Sequence, residues 1–306
     1  MGYWKKLGRL IKPEDYNYDW IVTHAMDPTV LHLRDSIYRV YYCGRNNSNQ
    51  SLIGYSDFDI SNPTDVIFTS ENEVLGLGDL GCFDDNGVTA SCIVNLGKTQ
   101  YLYYIGWKPR STTRFGLMTG LAISHDNGTT FTRYSKAPIL SLTDREPYSI
   151  LTAPYVLKIS DDTWYMWYVS CEGWIHPDLP TYNIKFATSL DGLTWKQDGT
   201  ICLDFQENEI ALARPCVLFE DDLFKMWISY KTETQSYRIG YAESTDGLRW
   251  ERKDHLTGID ISIEDNSWDS EMIEYPCVFK HEDTKYMIYN GNGYGTNGAG
   301  IAIFVE

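Results

Sequence analysis

The chain has 306 residues, with 26 Lys and Arg against 42 Asp and Glu, a formal charge of −16 and a pI near 4.7. Such a surface repels phosphate backbones and anionic lipid heads, which argues against nucleic-acid and membrane partners. The 43 % apolar content is enough for a packed core, and 23 Tyr, 10 Trp and 11 Phe favour strands over helices.

Met1 to Asn17 carry Lys5, Lys6 and Arg9 but no apolar run of signal-peptide length, and no stretch approaches the 18 or so apolar residues of a membrane span. The expectation is a cytoplasmic protein. The seven cysteines (43, 82, 92, 171, 202, 216 and 277) are odd in number and lack paired spacing, so they read as reduced thiols, mostly small core residues. His24 and His176 show no ligand spacing, and neither a metal nor a cofactor is expected.

Taken in chain order, one motif recurs. Asp27-Pro28-Thr29-Val30, Ala90-Ser91-Cys92-Ile93, Ala153-Pro154-Tyr155-Val156, Arg214-Pro215-Cys216-Val217 and Tyr275-Pro276-Cys277-Val278 align at intervals of 63, 63, 61 and 61 residues. Each opens an apolar strand, followed by a polar turn and an aromatic strand at 38–42, 101–105, 164–169, 224–230 and 286–289. A third strand with small residues follows at 52–56, 119–124, 184–189, 239–244 and 300–305. A repeat of this length with four short strands predicts an all-β chain folded as one five-bladed β-propeller, residues 1–306, with blades starting near 27, 90, 153, 214 and 275.

The third strands of repeats two to four run into Ser124-His-Asp-Asn-Gly-Thr-Thr-Phe131, Ser189-Leu-Asp-Gly-Leu-Thr-Trp195 and Ser244-Thr-Asp-Gly-Leu-Arg-Trp250. Their Asn-Gly and Asp-Gly pairs supply the positive-φ positions of a tight hairpin leading to an outer strand. The fifth repeat ends at its third strand. Trp4–Ile11 resembles the segments that begin at Trp195 and Trp250, so residues 4–11 are expected to be the outer strand of blade five, pairing the chain ends and removing an open edge.

In such a ring the starts of first strands and ends of second strands converge on one face. The starts bring His24, Asp27, Asp85, Glu209, Arg214, Glu271, Glu274 and Tyr275. The ends bring Arg45, Trp107, Lys108, Glu172, Trp174, His176, Tyr230, Lys231, Asn290 and Asn292. Acids, amides, bases and aromatic rings suit sugar hydroxyls and sugar faces better than an apolar cofactor, so the expected partner is an oligosaccharide, glycoside or sugar conjugate. Cleaving a glycosidic bond requires two carboxyl groups, a base or nucleophile and a protonated acid. Asp27, set beside the Pro that starts the first strand, is the expected base. Glu172, Glu209 and Glu274 are the candidate acids, and Arg214 could clamp an anionic group on the substrate. Arg45, Lys108, Arg110 and Lys231 make this rim more basic than the chain as a whole.

With five repeats and Asp27-Pro28 in place, the chain resembles the five-bladed glycosidase superfamily, glycoside hydrolase families 43, 32, 62 and 117 and the mannoside phosphorylases of family 130. Arg214-Pro215-Cys216-Val217, Ile239-Gly240-Tyr241-Ala242-Glu243-Ser244 and Trp268–Pro276 are similar to bacterial proteins described as glycosylases. The resemblance implies a hydrolase or phosphorylase using general acid and base catalysis, with the family 43 base falling on Asp27. That family's auxiliary Asp falls near Ala153 and its acid on Leu212, three residues after Glu209, while a Glu-x-Pro pattern occurs as Glu274-Tyr275-Pro276. Two alternatives stand beside this reading: an enzyme of surface-glycan or nucleotide-sugar metabolism, and a non-catalytic sugar-binding propeller.

Overall fold

A computed structural model describes residues 2–306, and it is built almost wholly of antiparallel strands. Four meanders follow one another: Thr23–Arg34, Ile37–Arg45, Ser51–Asp59 and Val66–Thr69; Val88–Asn95, Gln100–Pro109, Phe115–Ser124 and Thr132–Arg133; Ile150–Ser160, Thr163–His176, Leu179–Ser189 and Lys196–Leu203; Glu209–Glu220, Leu223–Thr232, Arg238–Ser244 and Glu251–Arg252. A fifth comprises Glu274–His281, Thr284–Asn290 and Ala299–Val305. Its fourth strand is Tyr3–Ile11, which lies antiparallel to Ala299–Val305, so that the two ends of the chain share one sheet. The second, third and fourth meanders touch through short parallel pairings, Ile150 with Leu117 and Tyr182 with Ala211.

Repeated side chains join each meander to the next. In the hairpins at Asp126, Asp191 and Asp246 the Asp Oδ1 accepts two backbone N–H groups from the residues just beyond the glycine. The carbonyl of that glycine then accepts a hydrogen bond from the preceding meander: Gly128 from Tyr41 Oη, Gly192 from Tyr103 Oη and Gly247 from Trp167 Nε1, each at 2.7 Å. Segment 124–131 is thus a turn that receives its neighbour's aromatic hydroxyl.

A second set of links runs between first strands. Ile93 N donates to Thr29 Oγ1 at 3.2 Å, Val156 N to Cys92 Sγ at 3.4 Å and Val278 N to Cys216 Sγ at 3.1 Å. Each of these side chains follows the repeat's Pro or Ser directly and bonds the next meander's strand. Cys277 makes the corresponding backbone contact to Val30. All seven cysteines are free thiols and six are buried, Cys82 being half-buried. Burial of the inner thiols raises their pKa and leaves them as small hydrogen-bonding core groups.

Inside the meanders, a buried acid from the incoming connection meets a tyrosine of the second strand and a cation or an amide of the outer strand. Asp84 accepts from Tyr104 Oη at 2.8 Å and Arg133 Nε at 2.7 Å. Glu146 accepts from Tyr168 Oη at 3.0 Å and Gln197 Nε2 at 2.9 Å, with Lys185 Nζ 3.8 Å away. Asp269 accepts from Tyr289 Oη at 3.0 Å and from Lys6 Nζ at 2.7 Å, Lys6 lying on the N-terminal strand. In the first meander Trp20 takes the acid's place, its ring 5.4 Å from that of Tyr42.

Candidate functional site

The first strands are kinked where they begin. The residue before each Pro has positive φ: Asp27 at 56°, Ala153 at 47°, Arg214 at 50° and Tyr275 at 54°, with a break in strand register beside each. Both the left-handed region and the position before proline are unfavourable for such residues, and strain of this kind collects at functional sites. It turns these side chains out of the strand's regular alternation.

Asp27 and Arg214, both buried, meet there. Arg214 Nε lies 3.3 Å from Asp27 Oδ1, while Nη1 donates to the Ala90 carbonyl at 2.8 Å and Nη2 to the Pro28 carbonyl at 3.0 Å. One guanidinium thus ties the fourth meander to the first and second. Asn290 Oδ1 accepts from Asp27 N at 3.0 Å and fixes the backbone. Burial pushes the Asp27 pKa up, and Arg214 first, then Thr89 and Arg45, oppose the rise.

Glu274, one residue before Tyr275, is completely buried, and neither carboxyl oxygen has a hydrogen-bond partner. Burial and then the Asp27 charge drive its pKa well up, with Lys231 the leading opposing influence. Tyr275 N donates to Ser229 Oγ at 2.7 Å, which aims residues 229 and 231 of one strand toward this acid. Lys231 Nζ sits 5.1 Å over the Tyr237 ring, and the hydroxyls of Tyr237 and Tyr182 are hydrogen-bonded together. The rings of Tyr275 and Tyr294 stand 5.9 and 6.3 Å from Tyr237.

A pH dependence follows from this acid. Its folded pKa exceeds the unfolded value near 4.3, so between those two values the folded chain binds the extra proton and stability falls as pH rises. Glu274→Gln, which keeps the shape and cannot ionise, is expected to raise the melting temperature at pH 7 and flatten its decline above pH 5. A lower melting temperature in Glu274→Gln would show that the ionised carboxylate stabilises the fold.

Other expected site residues lie elsewhere or serve the frame. Glu209 is not the acid beside Asp27: both oxygens are held by Arg252, at 2.9 and 3.2 Å, and one also accepts from Gln206 N. It falls at 62, 63 and 60-residue intervals with Asp84, Glu146 and Asp269, so it is the fourth meander's buried acid. The cation of that meander, Arg252, stands 5.2 Å from the Tyr230 ring, which places Tyr230 in the same internal group. Glu172 is bound to Lys185 at 2.8 Å rather than lodged in an apolar pocket. Asp85 and Lys108 pair with each other at 2.8 Å, which takes up the charge that each was expected to offer a ligand. Arg214, expected to clamp an anionic group, has Asp27 beside its guanidinium.

Asn290 and Asn292 hold backbone. Asn292 Oδ1 accepts from Glu271 N and Met272 N, and the Glu271 side chain is exposed. His24 bonds Thr23 and Thr296, with burial and then Arg45 lowering its pKa to about 4. His176 Nδ1 accepts from Asp178 N at the end of its hairpin. Trp107 does reach the site, since its Nε1 donates to Thr89 Oγ1 at 3.3 Å, and an aromatic row continues from it through Phe115 to Trp174.

Thr89, Tyr182, Tyr237, Tyr294 and Arg114 were not among the expected residues. Thr89 had a signal: Met26, Thr89, Thr152, Ala213 and Glu274 share one repeat position, two before the Pro or Ser. Thr152 Oγ1, with Ser170 Oγ and Asn183 Oδ1 from the adjoining strands, is also buried without a partner, and a concentration of such atoms points to polar contents. The tyrosines come from third-strand starts and a loop, positions without a shared motif. Among the described residues no group of three or more His, Cys, Asp or Glu is placed to hold a metal ion.

The fold is that of the β-propeller glycosidases. A solved structure described as a glycoside hydrolase superposes with a TM-score of 0.77 at 20 % identity, covering 98 % of this chain and 91 % of that one. A thermostable family-43 glycoside hydrolase gives 0.66 at 18 %, covering 92 % and 88 %. A structure from work on the GH130 family of mannoside phosphorylases, titled for glycoside hydrolases that target β-1,2 mannosidic linkages in Candida mannan, gives 0.73 at 14 %, covering 99 % and 93 %. The chain belongs to the family of two Mycobacterium tuberculosis proteins, uncharacterized protein MT1551 and uncharacterized protein Rv1502, each 37 % identical over 302 residues and 98 % of both chains. No family model matches it.

Proposed function

We propose that the five meanders are the blades of one ring, and that the group around Asp27 and Glu274 makes the chain a carbohydrate-active enzyme acting on a glycosidic bond. The observation that carries this reading is one pair of neighbouring buried carboxyl groups in unequal surroundings. Asp27 has a guanidinium at 3.3 Å, whereas Glu274 has no bonded partner. Burial raises both pKa values, opposed chiefly by Arg214 at Asp27 and by Lys231 at Glu274. Such a pair divides into a base and a proton donor.

In this mechanism Asp27 takes a proton from water, or aligns a phosphate, for attack at the anomeric carbon. Glu274 gives its proton to the departing glycosidic oxygen, and the C–O bond breaks. Trp107, linked to Asp27 through Thr89, offers a ring edge beside the base. Two features mark a departure from the family 43 pattern: Ala153 at the auxiliary position, and buried Leu212, paired with Tyr230, at the acid's position. They favour, as a second reading, a sugar-binding propeller without turnover.

Asp27→Asn and Glu274→Gln, assayed on a panel of aryl glycosides and oligosaccharides with and without phosphate, are each expected to lower turnover by at least about a hundredfold while sugar binding persists. Retained turnover in Asp27→Asn removes it from the mechanism. Sugar binding without turnover in the parent chain favours the second reading.

A further inference from the structure

Resting on the carbohydrate reading, we infer that the sugar taken by this site carries an anionic group, a carboxylate or a phosphate ester, received by Lys231 and Arg114. The chain bears 16 more formal negative than positive charges, and most of its cations are paired. At the site end, Arg45, Arg110, Arg114 and Lys231 have no carboxylate within 4 Å among the described residues. Ion pairs at that end include Lys108 with Asp85, Arg214 with Asp27, Lys185 with Glu172 and Arg252 with Glu209.

Lys231 is the informative member. It is half-buried, on the same face of its strand as Ser229, and so is directed at the start of the strand carrying Glu274. Its ammonium lies over the Tyr237 ring, and among the described residues Glu274 is the acid that bears on its charge. Arg114 bears on the same ammonium and on Tyr294. It is exposed on the hairpin tip 110–114, where Arg110 N donates to Arg114 O and Arg114 N to Pro177 O. Lys231 and Arg114 are near enough for their charges to interact, and like charges in an acidic protein repel each other unless an anion pairs with them. A neutral sugar leaves both unmatched. An anionic one pairs with them and leaves the Glu274 oxygens, unpartnered and wholly buried beside Lys231, for its hydroxyl or bridging oxygen.

The test is titration calorimetry with methyl glucuronide, glucose 1-phosphate, methyl glucoside and inorganic phosphate, preceded by an array of acidic and neutral glycans to choose the tightest acidic ligand and its neutral counterpart. The acidic sugar is expected to bind at least about tenfold tighter than its neutral counterpart, with the preference shrinking between 20 and 200 mM salt. Lys231→Met is expected to abolish the preference, and the exposed Arg114→Gln to reduce it without lowering the melting temperature. Equal binding of acidic and neutral sugars overturns the inference and leaves the carbohydrate reading standing. Inorganic phosphate binding as tightly as the acidic sugar overturns it in favour of a free anion. Failure of every glycan on the array overturns both.

Discussion

Arg214→Met is expected to destabilise the chain by about 3–5 kcal/mol, the cost of leaving one member of a buried ion pair alone. The loss has two parts. Asp27 keeps its burial and loses the charge at 3.3 Å, and the carbonyls of Ala90 and Pro28 lose their donors. Met matches the aliphatic length of Arg, so the change tests the guanidinium and not the packing. Chemical denaturation of Arg214→Met beside Arg214→Met/Asp27→Asn separates the parts, since the second change removes the stranded carboxylate and is expected to restore a portion of the loss. Equal stability of Arg214→Met and the parent chain would show that the cross-link contributes nothing to the fold.

Removing residues 1–12 is expected to have the second large effect, a collapse of the melting temperature or failure to accumulate soluble protein. Ala299–Val305 would lose its antiparallel partner and present an open edge. Trp4, buried against Trp227 and Phe304 at ring separations of 6.2 and 5.1 Å, would leave a cavity, and loss of a buried Trp side chain alone costs about 3–5 kcal/mol. Asp269 would also be left buried without Lys6. Thermal unfolding of the truncated chain, with Lys6→Met as the milder comparison, measures this. An unchanged midpoint in the truncation would mean that the terminal strand only decorates the fifth sheet.

The all-β character was legible in the sequence because the repeat states its first three strands five times, and errors at one copy are corrected by the other four. The site was less legible because the same repeat uses carboxylates for two purposes. Glu209 and Glu274 both stand just ahead of a first strand, and only the partners differ. Arg252 reaches Glu209 from an outer strand 43 residues later, a contact that no local pattern announces. Asp27 stood out through its Pro neighbour. Its counterpart Arg214 was visible too, but as a hand for substrate and not for Asp27, because the pairing crosses 187 residues. Tyr182, Tyr237 and Tyr294 were hidden among 23 tyrosines.

The brace formed by Arg214 has a consequence for traffic. Its guanidinium spans from the fourth first strand to the first and second, and the same first strands are linked through Thr29, Cys92 and Cys216. If the five meanders close into a ring, as proposed, this brace crosses its middle and would block passage straight through. A ligand reaching Asp27 would then leave by the way it came, an arrangement that suits the tip of a chain or a short molecule better than the middle of a long polymer.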